Sequence, residues 1–308
     1  MVFDLAKGVS DFNFWKSRME SEQSPTRTIY ISLLVLTFLL YRSYSSIAFA
    51  STLPGPVFSV RTISLHGRSF DLHLANPQPV VPPEILVLYA SGDGGWYGAA
   101  SNMFKGIAAL GYPVVGFSTR SYMKLLGYGN NPATVEELTQ DYQDIIEQAR
   151  RILSLPSSVR TILTGWSRGA AFAVLAASEK KLQPELAGVL AIGLPGKEEL
   201  KIRHHGKKIY LNQLQDSKQQ ILFDTYEQIP EIAPLPCALI QSTGDNFLPA
   251  SSARILFGAQ SGLKHFYGVE ARNHRFSGGW TSFLSRLQES LEWMSRVNPG
   301  GPSFQTNP

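Results

Sequence analysis

One cysteine, Cys237, stands in a chain of 308 residues. A lone thiol closes no intramolecular disulfide and rules out a zinc site built from cysteines. Its setting, Pro-Cys-Ala-Leu-Ile, reads as a buried strand in which the thiol packs as a small hydrophobe. Charge is sparse as well. Charged residues make up 17% against 44% hydrophobic, which supports an ample core and excludes an intrinsically disordered chain. The net charge of +4 is diffuse, with no Lys/Arg run longer than two residues, so no nucleic-acid partner is expected. Internal repeats and low-complexity tracts are absent too.

What is present begins with an apolar run, Ile29 to Tyr41, broken by Ser32 and Thr37. It is right for the hydrophobic part of a signal peptide and short for a membrane span. Ala48-Phe49-Ala50 fits a cleavage site, whereas 29–50 taken whole, with Arg42 snorkelling, fits a retained anchor. Lys7, Lys16, Arg18 and Arg27 precede the run, so its N-terminal side stays in the cytoplasm and the domain is exported. A buried N-terminal helix is the alternative. The expected organisation is a signal peptide or anchor over 1–50, one domain over 51–297, and a disordered Gly/Pro-rich tail over 298–308.

In the domain, Val57–Ile63 and Phe70–Ala75 flank His66-Gly67-Arg68 and predict a hairpin. Ile85–Ala90, Pro113–Phe117, Thr161–Thr164, Gly188–Leu194, Cys237–Thr243 and Leu263–Val269 are apolar runs of the kind that strands buried on both faces require. Helical patterns fall at Ala99–Leu110, behind the capping box Thr134–Glu137, at Ala170–Ser178 and at Trp280–Met294. Residues 195–235 are irregular and more charged, and read as an insertion or a strand-plus-helix excursion. Alternating buried strands and helices predict an α/β fold with a mostly parallel sheet, helices on both faces and an antiparallel hairpin at one edge, as in α/β-hydrolases.

Gly165-Trp166-Ser167-Arg168-Gly169 matches G-x-S-x-G, a turn that exposes a serine between a strand and a helix. The pentapeptide alone arises by chance in about one such chain in ten, so its context carries the weight. A strand pattern precedes it and a small-residue helix pattern follows it. A serine hydroxyl needs a base and the base needs an orienting acid. Of six histidines, His274 follows the last strand and precedes the last helix, which suits the base. His66 and His73 lie in the hairpin, His265 in a strand, and His204 and His205 in the charged insertion. Asp245 follows a buried strand and is the expected acid; the alternatives are a strand-capping role for Asp245, with Glu198 or Glu199 as acid. The oxyanion donors are expected at the N–H of Arg168 and in the loop Gly92-Asp93-Gly94-Gly95. That loop lacks the Lys-Ser/Thr of a nucleotide-binding P-loop and the spacing of a dinucleotide fingerprint, so no cofactor or metal is expected.

Ser91-Gly92-Asp93-Gly94-Gly95-Trp96, Gly111-Tyr112-Pro113-Val114-Val115-Gly116, the elbow through Ala170, and His274-Arg275-Phe276 together resemble the bacterial virulence protein family of VirJ and the C-terminal domain of AcvB. The resemblance implies an α/β-hydrolase fold, a periplasmic location, Ser167 as nucleophile and His274 as base. It further implies, from the AcvB branch, hydrolysis of lysyl-phosphatidylglycerol and, from the VirJ branch, contacts with secretion machinery. The expectation is therefore an exported serine esterase acting on an ester such as an aminoacylated phospholipid at the membrane surface; the alternative is a non-enzymatic accessory protein of a secretion system. Asp93 is a candidate for meeting a substrate ammonium. Lys197, Lys201, Arg203, Lys207 and Lys208 either face anionic lipid or form a solvated face.

Overall fold

The structure is a computed structural model and describes residues 55–77, 83–127, 133–200 and 222–297. The apolar run at 29–50, the tail from 298, and Lys201, Arg203, His204, His205, Lys207 and Lys208 lie outside the described residues. The described residues belong to the unit Pro54–Pro308.

Two long strands, β1 (Val57–Leu65) and β2 (Arg68–Asn76), form an antiparallel hairpin. Its turn residues His66 and Gly67 have φ of 50° and 70°, the positive pair a two-residue turn needs to match the strand twist. Six further strands complete the sheet: β3 (Ile85–Ala90), β4 (Val114–Phe117), β5 (Arg160–Trp166), β6 (Leu186–Ile192), β9 (Cys237–Ser242) and β10 (Lys264–Val269). Between β6 and β9 a small antiparallel pair forms, β7 (Lys197–Glu199) with β8 (Leu222–Asp224), within the segment expected to be an insertion.

The order across the main sheet is β1-β2-β4-β3-β5-β6-β9-β10. Pairings from β4 to β10 are parallel, and β2 runs against its neighbours. Every residue of β3, β6 and β9 is buried, which is why these strands read as unbroken apolar runs.

Among the described residues six helices cover the sheet: α1 (Ala99–Ala109), α2 (Thr119–Leu126), α3 (Val135–Ile152), α4 (Arg168–Ser178), α5 (Ala250–Phe257) and α6 (Trp280–Arg296). Apolar residues of α2, α3, α4 and α5 form the core on one face, and those of α1 and α6 the core on the other. The capping box of α3 is formed: Thr134 Oγ1 accepts from the Glu137 N–H while the Glu137 carboxylate accepts from the Thr134 N–H. Helices α2 and α5 carry no comparable sequence signal. The apolar Ile255 and Leu256 of α5 point to solvent, which blurs its pattern. Because β3, β5, β6, β9 and β10 run the same way, the loops at their carboxyl ends meet along one edge of the sheet.

Candidate active site

Strand β5 ends in Gly165 and Trp166, and α4 begins at Arg168. Ser167 between them takes φ 57° and ψ −123°, a backbone conformation that L-residues rarely adopt. The two elbow glycines permit it. A Cβ on Gly165 would lie 2.2 Å from the Gly169 carbonyl carbon, and one on Gly169 would lie 2.1 Å from the Ala90 oxygen. Strand and helix backbones approach too closely for any side chain there. The Ser167 N–H is anchored to the Ile192 carbonyl of neighbouring β6.

Asp245 and His274 come from the loops after β9 and β10. His274 Nδ1 and Asp245 Oδ2 are 2.6 Å apart. Gln241 Nε2 donates to that same oxygen, and the N–H groups of Phe247 and Leu248 donate to Oδ1. With both oxygens occupied and 2% exposure, the carboxylate is held in one orientation. The loop carrying His274 is tight: Asn273 Oδ1 accepts from the N–H groups of Arg275 and Ser277, and Phe276 is fully buried at φ 60°.

The imidazole is also clamped sideways. Trp166 stacks on it at 5.2 Å between ring centroids, and Phe247 meets it edge-on at 5.0 Å. Trp166 Nε1 donates to the His274 carbonyl, fixing the loop as well as the ring. The other ring nitrogen, Nε2, is buried and makes no hydrogen bond. His274 lines a cavity of about 410 Å³ together with Ser167, Gly92, Asp93 and Gly94. The other described histidines are engaged elsewhere: His66 with Asp141, His73 stacked on Trp96, and His265 stacked on Trp293.

Several anchors of the loop after β3 converge on one carbonyl. Gly92 O accepts from the Gly95 N–H, from Ser91 Oγ and from the Thr119 Oγ1 hydroxyl at the start of α2. This corrects one sequence expectation. The Gly95 N–H closes a turn back onto Gly92, and Gly95 does not line the cavity, so it is not an oxyanion donor. Gly92, Asp93 and Gly94 remain at the cavity wall.

Glu198 does not reach His274 as an alternative acid. Its Oε1 lies 2.9 Å from Arg168 Nε, and Asp93 Oδ1 lies 2.8 Å from the same atom. The angles make these ion pairs rather than aligned hydrogen bonds. Burial pushes the Glu198 carboxyl up to about 7; Arg168 works against that rise and the charge of Asp93 adds to it. Glu199 sits beside it on β7 and donates its N–H to Glu198 Oε1.

Sequence reasoning missed Trp166, Phe247, Gln241 and Thr119 as supporting residues. Gln241 offered one signal, a polar residue inside an otherwise apolar strand pattern just before the acid. Thr119 offered none, since its partner lies 27 residues away.

The family of bacterial virulence proteins described as VirJ matches residues 84–253, more than half of the chain. The chain belongs to the VirJ family. In this VirJ-family chain the matched segment contains Gly92–Gly94, Ser167 and Asp245, and His274 follows it. Comparison with curated protein sequences finds no match. Among solved structures, the chain is similar to the esterase domain of a Rhodothermus marinus protein at 19% identity and a TM-score of 0.53, covering 78% of this chain and 99% of that one. It is similar to a putative dienelactone hydrolase from Klebsiella pneumoniae at 14% identity and a TM-score of 0.56, covering 79% and 100%. An α/β serine hydrolase without a lid from Xanthomonas campestris is similar at 14% identity and a TM-score of 0.52, covering 81% and 100%. At these identities the likeness establishes the α/β-hydrolase fold of the VirJ-family domain.

Proposed function

We propose that this protein is a serine hydrolase acting on ester bonds. The observation that carries the reading is the orientation of His274. Its Nδ1 is held by Asp245, its buried Nε2 lacks a partner, and His274 and Ser167 line the same cavity.

Ser167 Oγ attacks the ester carbonyl and His274 Nε2 takes its proton. Asp245 keeps the proton of His274 on Nδ1 and stabilises the imidazolium that forms. The carbonyl oxygen becomes an oxyanion and needs fixed donors. Arg168 supplies one, because the first N–H of a helix has no carbonyl to reach within it. Asp93 supplies the other. The Gly92 carbonyl is turned toward Thr119 and Ser91, and in a planar trans peptide the N–H of the next residue points the opposite way. The intermediate collapses as His274 returns the proton to the departing alcohol, and water then releases the acyl group by the same route.

A fluorophosphonate probe tests this. Covalent labelling of the wild type, absent in Ser167→Ala with an unchanged melting curve, is the expected result. A folded wild type that stays unlabelled would sink the enzyme reading and leave an accessory binding role.

The ester we propose is an aminoacylated phospholipid, met outside the cytoplasm after export directed by residues 29–50. Support comes from the charge asymmetry around that run and from family membership. Among the described residues no helix is long and apolar enough to cross a membrane. Release of free lysine from lysyl-phosphatidylglycerol vesicles, lost in Ser167→Ala, is the check on substrate. N-terminal sequencing of the exported protein checks the segment.

A further inference from the structure

The two residues that present the oxyanion N–H groups, Arg168 and Asp93, are joined to each other through their side chains. Nothing in the serine–histidine–acid chemistry requires this. Electrostatics argues against a cation at the first position of α4, where the helix dipole favours negative charge. Burial argues against it too, because the Arg168 side chain is 17% exposed and that of Glu198 is 7% exposed, so the pair forfeits most of its hydration. An arrangement that contributes little net stability contributes geometry instead.

We infer that Arg168 is a positioning residue: its guanidinium, backed by Glu198 on β7, straps the Asp93 loop to the nucleophile elbow and so sets the spacing of the two oxyanion N–H groups. This rests on the serine hydrolase reading above. Three elements converge at the guanidinium. Asp93 comes from the loop after β3, Glu198 from β7, and Arg168 from α4 itself. The hydrogen bonds to Gly92 O hold the near end of the loop, whereas the Asp93 side chain, 63% exposed, has the ion pair with Arg168 as its tie to the elbow. A carboxylate that exposed would otherwise turn freely in water. A donor misplaced by a fraction of an ångström stabilises the transition state less while leaving substrate binding nearly intact.

Protonation adds a second readout. The charged groups facing Glu198 are Arg168 from α4, Asp93 from the β3–α1 loop and Glu199 on its own strand. With its carboxyl raised to about 7, Glu198 loses charge on mild acidification, and its hold on the guanidinium weakens with it.

The test uses the full-length protein, p-nitrophenyl acetate turnover and the rate of fluorophosphonate labelling. Arg168→Met is expected to lower kcat about 10- to 100-fold, a part of the 10²–10³ lost when one oxyanion donor is removed, with KM within about twofold. Arg168→Lys restores part of that loss, since a cation again meets Asp93 without the planar fork. Glu198→Gln, which leaves the elbow untouched, lowers kcat several-fold and removes an inflection near pH 7 from the labelling rate. Wild-type kcat in folded Arg168→Met, or an unchanged pH profile and kcat in Glu198→Gln, would overturn the strap while the hydrolase reading stands. An unlabelled, inactive wild type would overturn both.

Discussion

His274 Nδ1 lies 2.6 Å from Asp245 Oδ2, a contact between the loops that follow the paired strands β10 and β9. Asparagine at 245 would keep the shape and supply an amide in place of the charge, leaving the imidazole free to take the wrong tautomer. Asp245→Asn is expected to cut kcat by about 10⁴-fold, as the corresponding change does in the serine protease template, with the protein still folded. Steady-state ester turnover alongside circular dichroism measures it; a loss below about tenfold would remove Asp245 from the acid role.

Trp166 does more than fill the variable position of the elbow. Its indole N–H donates to the carbonyl of His274, and its ring stacks on the imidazole. Trp166→Phe retains a ring and deletes the donor. One hydrogen bond contributes about 0.5–1.5 kcal/mol net, so kcat should fall by up to about tenfold. Fluorophosphonate labelling kinetics report this directly, because the small probe leaves substrate binding out of the comparison. Labelling at the wild-type rate would show that the stacked ring suffices.

Gly169 faces the carbonyl oxygens of Ala90 and Ser91, where a Cβ would sit at 2.1 and 2.4 Å. Neither backbone can yield without breaking the sheet or the loop behind it. Gly169→Ala should cost about 3 kcal/mol or more, at or above the upper end of overpacking effects. Urea unfolding provides the number, with Ser167→Ala as the control that leaves the midpoint in place. A Gly169→Ala midpoint equal to the wild type would contradict the close approach.

Glu198 makes stability depend on pH in the opposite sense to a carboxylate whose ionised form is favoured. Its folded value, about 7, lies above the ordinary 4.5, mainly through burial. Between those values the folded chain keeps a proton that the unfolded chain has released. Stability from this group is therefore full below about pH 4.5 and falls as pH rises toward 7. The change across the window is about 3 kcal/mol. Glu198→Gln carries no ionisable group and should flatten that slope, measured as the difference between urea midpoints at about pH 5 and about pH 8. An identical slope in the variant would place the titration elsewhere.

The sheet was legible because strands covered on both faces are largely apolar; β3 and β6 are so throughout, and β5 and β9 through most of their length. The candidate site residues were singled out for a related reason. Ser167, Asp245 and His274 each follow a strand, and the structure brings Asp245 and His274 into contact. What escaped were ties between distant segments. Trp166 meets a carbonyl 108 residues away, and no local pattern encodes that meeting. The engagement of Arg168 with Asp93 and Glu198 is of the same kind. Gly95 was misread because a glycine loop has many backbone shapes, and the turn onto Gly92 is held by Ser91 and Thr119 as well as by Gly95 itself at φ 83°.

The site takes its parts from the ends of β3, β5, β9 and β10, strands that are neighbours in space only once the whole parallel sheet is paired. In refolding, each pairing closes a long loop, which is the slow part of building such a sheet. Ser167 follows β5 and His274 follows β10, so β5, β6, β9 and β10 must pair before the two loops meet. Recovery of probe labelling after dilution from denaturant therefore times the pairing of the strands that carry the site loops, and will trail any spectroscopic signal that the helices produce on their own.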